Sequence, residues 1–158
     1  EFNSAGLLVL IVLMFIGASP GSTGGGIKTS TFFVLLQGIK SAATNRGEKA
    51  FRYSIPSGAF RKAAVITLIA VSVVLTGTWL LLVFEPQLRL VDALFEITSA
   101  FGTVGLSTGI TTTLGVPAKL VSILIMYIGR LGPLTIASVW YFDKGERVSY
   151  PEGNIAIG

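Results

Sequence analysis

Thr103, Val104, Gly105 and Leu106, followed by Ser107, Thr108 and Gly109, are the residues whose types and spacing could do chemistry in this chain. That chemistry is neither nucleophilic attack nor ordinary acid–base work. The sequence has no cysteine and no histidine, which removes a thiol nucleophile, thiolate metal ligands and the usual general base. A Gly/Thr-rich extended strand offers its backbone instead. Glycine permits conformations that aim successive carbonyl oxygens at one point, where they replace the water around a cation. Leu90 to Phe101, just before the strand, is apolar at helical spacing. It is only about three turns long, too short for a hydrocarbon core that takes roughly 20 residues. A short apolar helix running into such a strand is what a re-entrant pore loop needs. The bland alternative is a short buried helix followed by a polar loop.

The composition agrees with a membrane setting. Of the 158 residues 51% are hydrophobic and 13% charged, and mean hydropathy is +0.75, unlike a soluble domain. The net charge of +4 is unevenly spread. Lys28, Lys40, Arg46, Lys49, Arg52, Arg61 and Lys62 fall between two apolar segments, with only Glu48 against them. Such a cluster can bind nucleic acid, but beside spanning helices it marks the cytoplasmic side. The first apolar stretch has no basic region before it and does not read as a signal peptide.

Several elements must position the strand. Ala5 to Ile16 is apolar and, alone, too short to span. It runs into Gly17-Ala18-Ser19-Pro20-Gly21-Ser22-Thr23-Gly24-Gly25-Gly26, which cannot be a regular helix. Thr31 to Ile39 is apolar again, so the simplest join is a membrane helix broken in the middle. Thr44 to Phe60 is polar and alternates loosely, as a cytoplasmic connector with room for a short hairpin. Ala63 to Phe84 is 22 residues without a charge and spans the bilayer, with Trp79 near its far end. Pro117 suits the first turn of another span, Ala118 to Phe142, interrupted by Gly129, Arg130, Gly132 and Pro133. The expected divisions are a broken second span of a preceding pore unit (1–43), a connector (44–60), a complete span–pore loop–span unit (61–142) and a cytoplasmic tail (143–158). The fold class is all-α integral membrane, multi-pass, with the C-terminus in the cytoplasm.

Each remaining candidate has a plain reading beside the functional one. The glycine run has the flavour of a phosphate loop, but Ile27 stands where that motif requires glycine before Lys28-Thr29, and the flanks are membrane helices. A guanidinium at the depth of Arg130 costs at least about 2.5–3.5 kcal/mol on insertion scales, so it should meet water, a carboxylate or free carbonyls. The broken helix offers many such carbonyls; a snorkelling structural arginine is the plain reading. Lys28 could line an inner vestibule or anchor the positive-inside face. Asp92 and Glu96 could concentrate cations at a pore mouth, while for Asp92 capping of the helix N-terminus is the simpler role.

Three stretches carry a family resemblance. Thr103-Val104-Gly105-Leu106 resembles the TVGYG filter of potassium channels, with Leu106 in place of Tyr and Ser107 in place of the last Gly. The departure leaves fewer carbonyl rings and points to the Ktr/Trk/HKT superfamily of potassium transporters. Met14 to Lys28 is similar to the stretch before the last pore unit of KtrB-type subunits. The C-terminal Ser149 to Gly158 resembles the end of such subunits. The resemblance implies a filter at Thr103, Val104, Gly105 and Leu106, with K+ held by backbone carbonyls. It also implies an intramembrane gating loop at Gly17 to Gly26 and a pore-facing basic residue at Arg130. K+ is then the transported ion, Na+ a candidate activator, and no cofactor is bound by this chain itself. The implied partners are the membrane, a second copy in a homodimer and a cytoplasmic nucleotide-binding regulatory subunit of KtrA type, with no nucleic acid.

A full family member has four pore units, and this sequence carries about one and a half. Glu1-Phe2-Asn3-Ser4 is similar to the Gly-Phe-Asn after another filter loop, with Glu1 at the glycine position, so no third-filter residue is assigned. The expectation is a C-terminal fragment, or a chain with a deletion or junction near its start, unable to conduct alone. The reading from the other class is a non-conducting structural or assembly fragment, whose loop only packs between spans. A membrane phosphotransferase using the glycine run is a more distant third.

Overall fold

The computed structural model describes residues 3–44, 49–50, 53–54 and 58–132. Five helices carry the fold: α1 (Ser4–Phe15), α2 (Thr29–Thr44), α3 (Ala59–Phe84), α4 (Leu90–Gly102) and α5 (Val116–Leu131). A single 3-10 turn, Ile110–Thr112, lies between α4 and α5. In the connector, β1 (Lys49–Ala50) and β2 (Tyr53–Ser54) form a two-residue antiparallel ladder pairing Lys49 with Ser54 and Ala50 with Tyr53. The remaining regular structure among the described residues is helical.

α1 starts on Asn3, whose side-chain oxygen accepts the Gly6 amide at 2.8 Å, a standard N-cap contact. It stops where the glycines begin. The break is a closed excursion rather than a slack linker, because its ends are clipped together. Gly17 N–H donates to Ile27 O at 2.8 Å and Ile27 N–H to Phe15 O at 3.1 Å, a parallel bridge between Ile16 and Ile27. Gly26 at the end of the excursion has φ +79°, a left-handed conformation open to glycine at little cost.

α3 begins at Ala59, four residues before the expected Ala63, so Arg61 and Lys62 sit exposed in its first turns. Gly58 at φ +88° starts the helix ahead of the basic pair, and Lys62 N–H already bonds Gly58 O. At 26 residues α3 is about 39 Å long at 1.5 Å per residue, more than the roughly 30 Å of a hydrocarbon core. It is the one helix among the described residues long and apolar enough to cross a membrane. α2 docks on it where Gly38 meets the Phe60 ring; a β-carbon on Gly38 would lie 2.0 Å from Phe60 Cδ2.

The described residues cover the first part of the last expected span. α5 is helical from Val116 to Leu131 and stops at Gly132, whose φ is +86°. Pro133 follows in sequence, and the residue before a proline is driven out of the helical region. Arg130 therefore stands in the last turn of α5, at the interruption expected around Gly129, Gly132 and Pro133. Residues 133–142, which complete the expected span, and the tail 143–158 lie outside the described residues.

The centre of the fold is α4. Nine of its 13 residues are buried, and α1, α3 and α5 all pack against it, the pattern of a helix surrounded rather than laid on a surface. Phe101, Leu81, Ile97 and Thr98 are the largest fully buried side chains, and Phe101 stacks on Phe15 with ring centroids 5.9 Å apart. The outside is apolar as well. Leu8 and Val12 on α1, Leu68 and Trp79 on α3, and Leu120 and Tyr127 on α5 all project outward. A water-facing protein seldom shows that much apolar surface, whereas hydrocarbon or neighbouring membrane helices would cover it.

Candidate functional site

The site is built on the C-terminal end of α4. Val104 N–H donates to Ser99 O and Thr103 N–H to Ala100 O, each at 3.0 Å. That pair of bonds is a Schellman closure with Thr103 in the left-handed position, φ 52° and ψ 39°, where glycine is usual. A β-branched residue there carries strain of about 1–3 kcal/mol. A compensating contact accounts for it. The Gly25 N–H, 78 positions earlier, donates to Thr103 Oγ1 at 2.9 Å.

Beyond Thr103 the chain has no regular secondary structure and is exposed through Val104, Gly105, Leu106 and Ser107. Gly105 has φ +85° and a β-carbon there would meet nothing within 4 Å. The far half of the strand is tied back to α4 by Glu96, a buried carboxylate with 7% exposure. Ser107 Oγ donates to Glu96 Oε2 at 2.8 Å, and the Thr111 hydroxyl donates to Glu96 Oε1. Ser107 Oγ in turn accepts the Gly109 amide at 3.0 Å.

The glycine excursion lies against the other side of the α4 terminus. A β-carbon on Gly25 would sit 2.6 Å from Phe101 O and 3.1 Å from Gly129 O. One on Gly129 would fall 1.9 Å from Phe101 O, so α5 touches the same carbonyl through a glycine. Two cations bind the excursion's own carbonyls. Lys28 Nζ donates to Gly24 O at 2.7 Å and Ser22 O at 3.3 Å, and Arg130 Nη1 donates to Thr23 O from 107 residues away. The structure thus brings together Thr103, the stretch Ser22 to Gly25 and Arg130, three places remote in sequence. A β-carbon on Gly105 would meet open space, and Val104 and Leu106 are about half exposed.

Several roles differ from the sequence reading. Lys28, expected as a vestibule residue or a positive-inside anchor, reaches the carbonyls of the break itself. Asp92 does not cap α4 through its side chain: the N-cap is Arg89, and no side-chain cap bond forms. Both Asp92 oxygens accept from the Arg89 guanidinium, at 2.7 and 3.3 Å, so the carboxylate is half of an ion pair. Its place in the first turn still suits the helix dipole. Asp92 and Arg89 line one wall of a cavity of about 720 Å³, with Leu106 and Ser107 on another. The ties made by Glu96 and by the Thr103 hydroxyl were not expected. A glutamate 11 positions before a serine has no local signature, although a carboxylate within a short apolar helix is a signal in itself.

Comparison with known proteins decides the family. The model of the TrkH family, described as cation transport protein, matches residues 1–142. This chain belongs to the TrkH cation transport family. Relatives agree along its whole length. It is 38% identical to the Ktr system potassium uptake protein D of Bacillus subtilis and 35% identical to the Ktr system potassium uptake protein B of Vibrio alginolyticus. It is 36% identical to the potassium/sodium uptake protein NtpJ of Enterococcus hirae. All three alignments cover 100% of this chain, but only 35%, 35% and 37% of the relatives. The chain spans about a third of their length. The family is one of cation transport proteins rather than enzymes, and the apolar exterior and α3 are in keeping with it.

Proposed function

We propose that this TrkH-family chain forms part of a potassium-translocating pore. K+ sheds water onto the backbone carbonyls of Thr103, Val104, Gly105 and Leu106, and the excursion Gly17 to Gly26 closes the path beneath them. Arg130 holds that closure. The observation that carries the reading is the bond from Gly25 N–H to Thr103 Oγ1, because it puts the broken-helix backbone against the first residue of the candidate filter. Non-helical backbone at membrane depth needs a donor or water beside it, and Lys28 and Arg130 supply donors to three of its carbonyls. A loop in that place is a steric barrier, and a permanent guanidinium adds an electrostatic one against cations.

In this reading residues 61–142 are one span–pore loop–span unit and residues 1–43 the second half of another, with the connector 44–60 and the tail 143–158 in the cytoplasm. Exposure of the strand fits a pore completed by further units, since carbonyl sites are built as rings around an axis. The names of the Ktr relatives speak of a system. We take this chain's parent to work likewise, as a homodimer on a KtrA-type regulatory subunit, with Na+ as an activator. The test is potassium uptake by the full-length parent in cells that depend on it. Gly105→Ser and Gly105→Asp force a side chain onto a left-handed position in the path, so K+ affinity and selectivity should both fall. Unchanged affinity and selectivity would remove the filter assignment.

A further inference from the structure

Glu96 holds the outer part of the strand, and nothing in the transport reading above uses it. It is a carboxylate on the most buried helix of the fold, with both oxygens accepting hydroxyls of the segment that follows the helix. Such a group is costly to bury and stays only where its oxygens are bonded. The bonded residues are informative. Ser107 is the next residue after the candidate filter, and Thr111 is in the 3-10 turn that carries the chain away from it. The two hydroxyls are 2.7 Å apart, so carboxylate, serine and threonine form one closed triangle.

The segment is fastened at its start by Val104 N–H to Ser99 O and at its end by Gly115 N–H to Glu85 Oε1, 2.6 Å. Glu96 fastens the stretch between. Thr108 is flanked by these ties, and its buried hydroxyl has no partner among the described residues. Gly105 is free of neighbours and Leu106 is half exposed, so this backbone has little packing of its own to define it. Carbonyls that select an ion must be held within about 0.5 Å of their working geometry by a supporting shell.

We propose that Glu96 is a positioning residue for ion selection: acting through Ser107 and Thr111, it fixes the curvature of Thr103–Ser107 and so the spacing of its carbonyls. This rests on the filter reading, and its test is arranged to separate the two. The measurement is the ratio of K+ to Na+ flux through the full-length parent in liposomes, which does not depend on the amount of folded protein. Glu96→Ala should lower the ratio about tenfold, the scale of one lost hydrogen bond to a charged group. Glu96→Gln, which can accept one hydroxyl and donate to the other, should keep most of it. The double variant Ser107→Ala with Thr111→Val removes the same ties from the exposed side and should match Glu96→Ala. That pair decides the matter if Glu96→Ala fails to fold. A ratio that stays put in the double variant but falls in Gly105→Ser overturns the role of Glu96 and leaves the filter. A ratio that moves in none of them overturns both.

Discussion

The Thr103 hydroxyl accepts the amide hydrogen of Gly25 at 2.9 Å, joining the end of α4 to the middle of the broken helix. The same threonine occupies a left-handed conformation that glycine would fill without strain. Glycine would relieve the backbone and lose the acceptor, so the side chain's contact with the excursion is the physical reason for a threonine here.

Removing that acceptor should loosen the excursion. Thr103→Val keeps the shape and deletes the oxygen, while Thr103→Ser keeps the oxygen. A neutral hydrogen bond is worth about 0.5–1.5 kcal/mol net, which allows a shift of up to about tenfold in the balance of closed and open forms. K+ flux per folded protein in liposomes should therefore rise in Thr103→Val and stay near the parent value in Thr103→Ser. Equal flux in the two variants would detach this bond from gating.

Arg130→Ala should also raise flux, as should deletion of several residues within Ser19 to Gly25. Both changes would remove part of the proposed barrier, and control by the proposed cytoplasmic partner should weaken with them. Arg130→Lys should fall between, because an ammonium keeps the charge but not the planar fork of donors. A purely structural role has the opposite sign, since a broken helix deprived of its donor misfolds. Flux per folded protein that drops in all these variants would sink the gate and leave the filter assignment untouched.

Gly129→Ala tests the packing of α5 on α4. The added β-carbon would fall 1.9 Å from Phe101 O, and a backbone carbonyl at the core of the fold has nowhere to go. Overpacking of this kind costs about 1–3 kcal/mol or more. Gly21→Ala is the control: φ there is +83°, but a β-carbon meets nothing within 4 Å. Its cost is backbone strain alone, about 1–2 kcal/mol on a loop. Thermal unfolding of the detergent-purified parent should show a clear loss of stability for Gly129→Ala and a smaller one for Gly21→Ala. A reversed order would mean that the two helices approach less closely than described here.

Much of this molecule was legible in its sequence, because the signals are local. The length of an apolar run decides whether it crosses a membrane, so α3 and the shortness of α4 follow from counting residues between charges and glycines. Five glycines and a proline in ten positions forbid a helix wherever they stand, which accounts for the gap between α1 and α2. A boundary set by a single dihedral was less legible where Gly58 starts α3 early, whereas the end of α5 at Leu131 falls at the interruption expected from Gly129, Gly132 and Pro133. Apart from Arg130, whose reach to carbonyls of the broken helix was expected, only the tertiary structure decided which groups meet. Nothing near Thr103 says that its hydroxyl faces Gly25, nor does the sequence around Glu96 say that it holds Ser107 and Thr111. Likewise the approach of Gly129 to Phe101 O depends on how α5 crosses α4. Hydrogen bonds spanning 78 and 107 residues are fixed by the packing of whole helices, and the buried groups then pair with whatever that packing brings within about 3 Å.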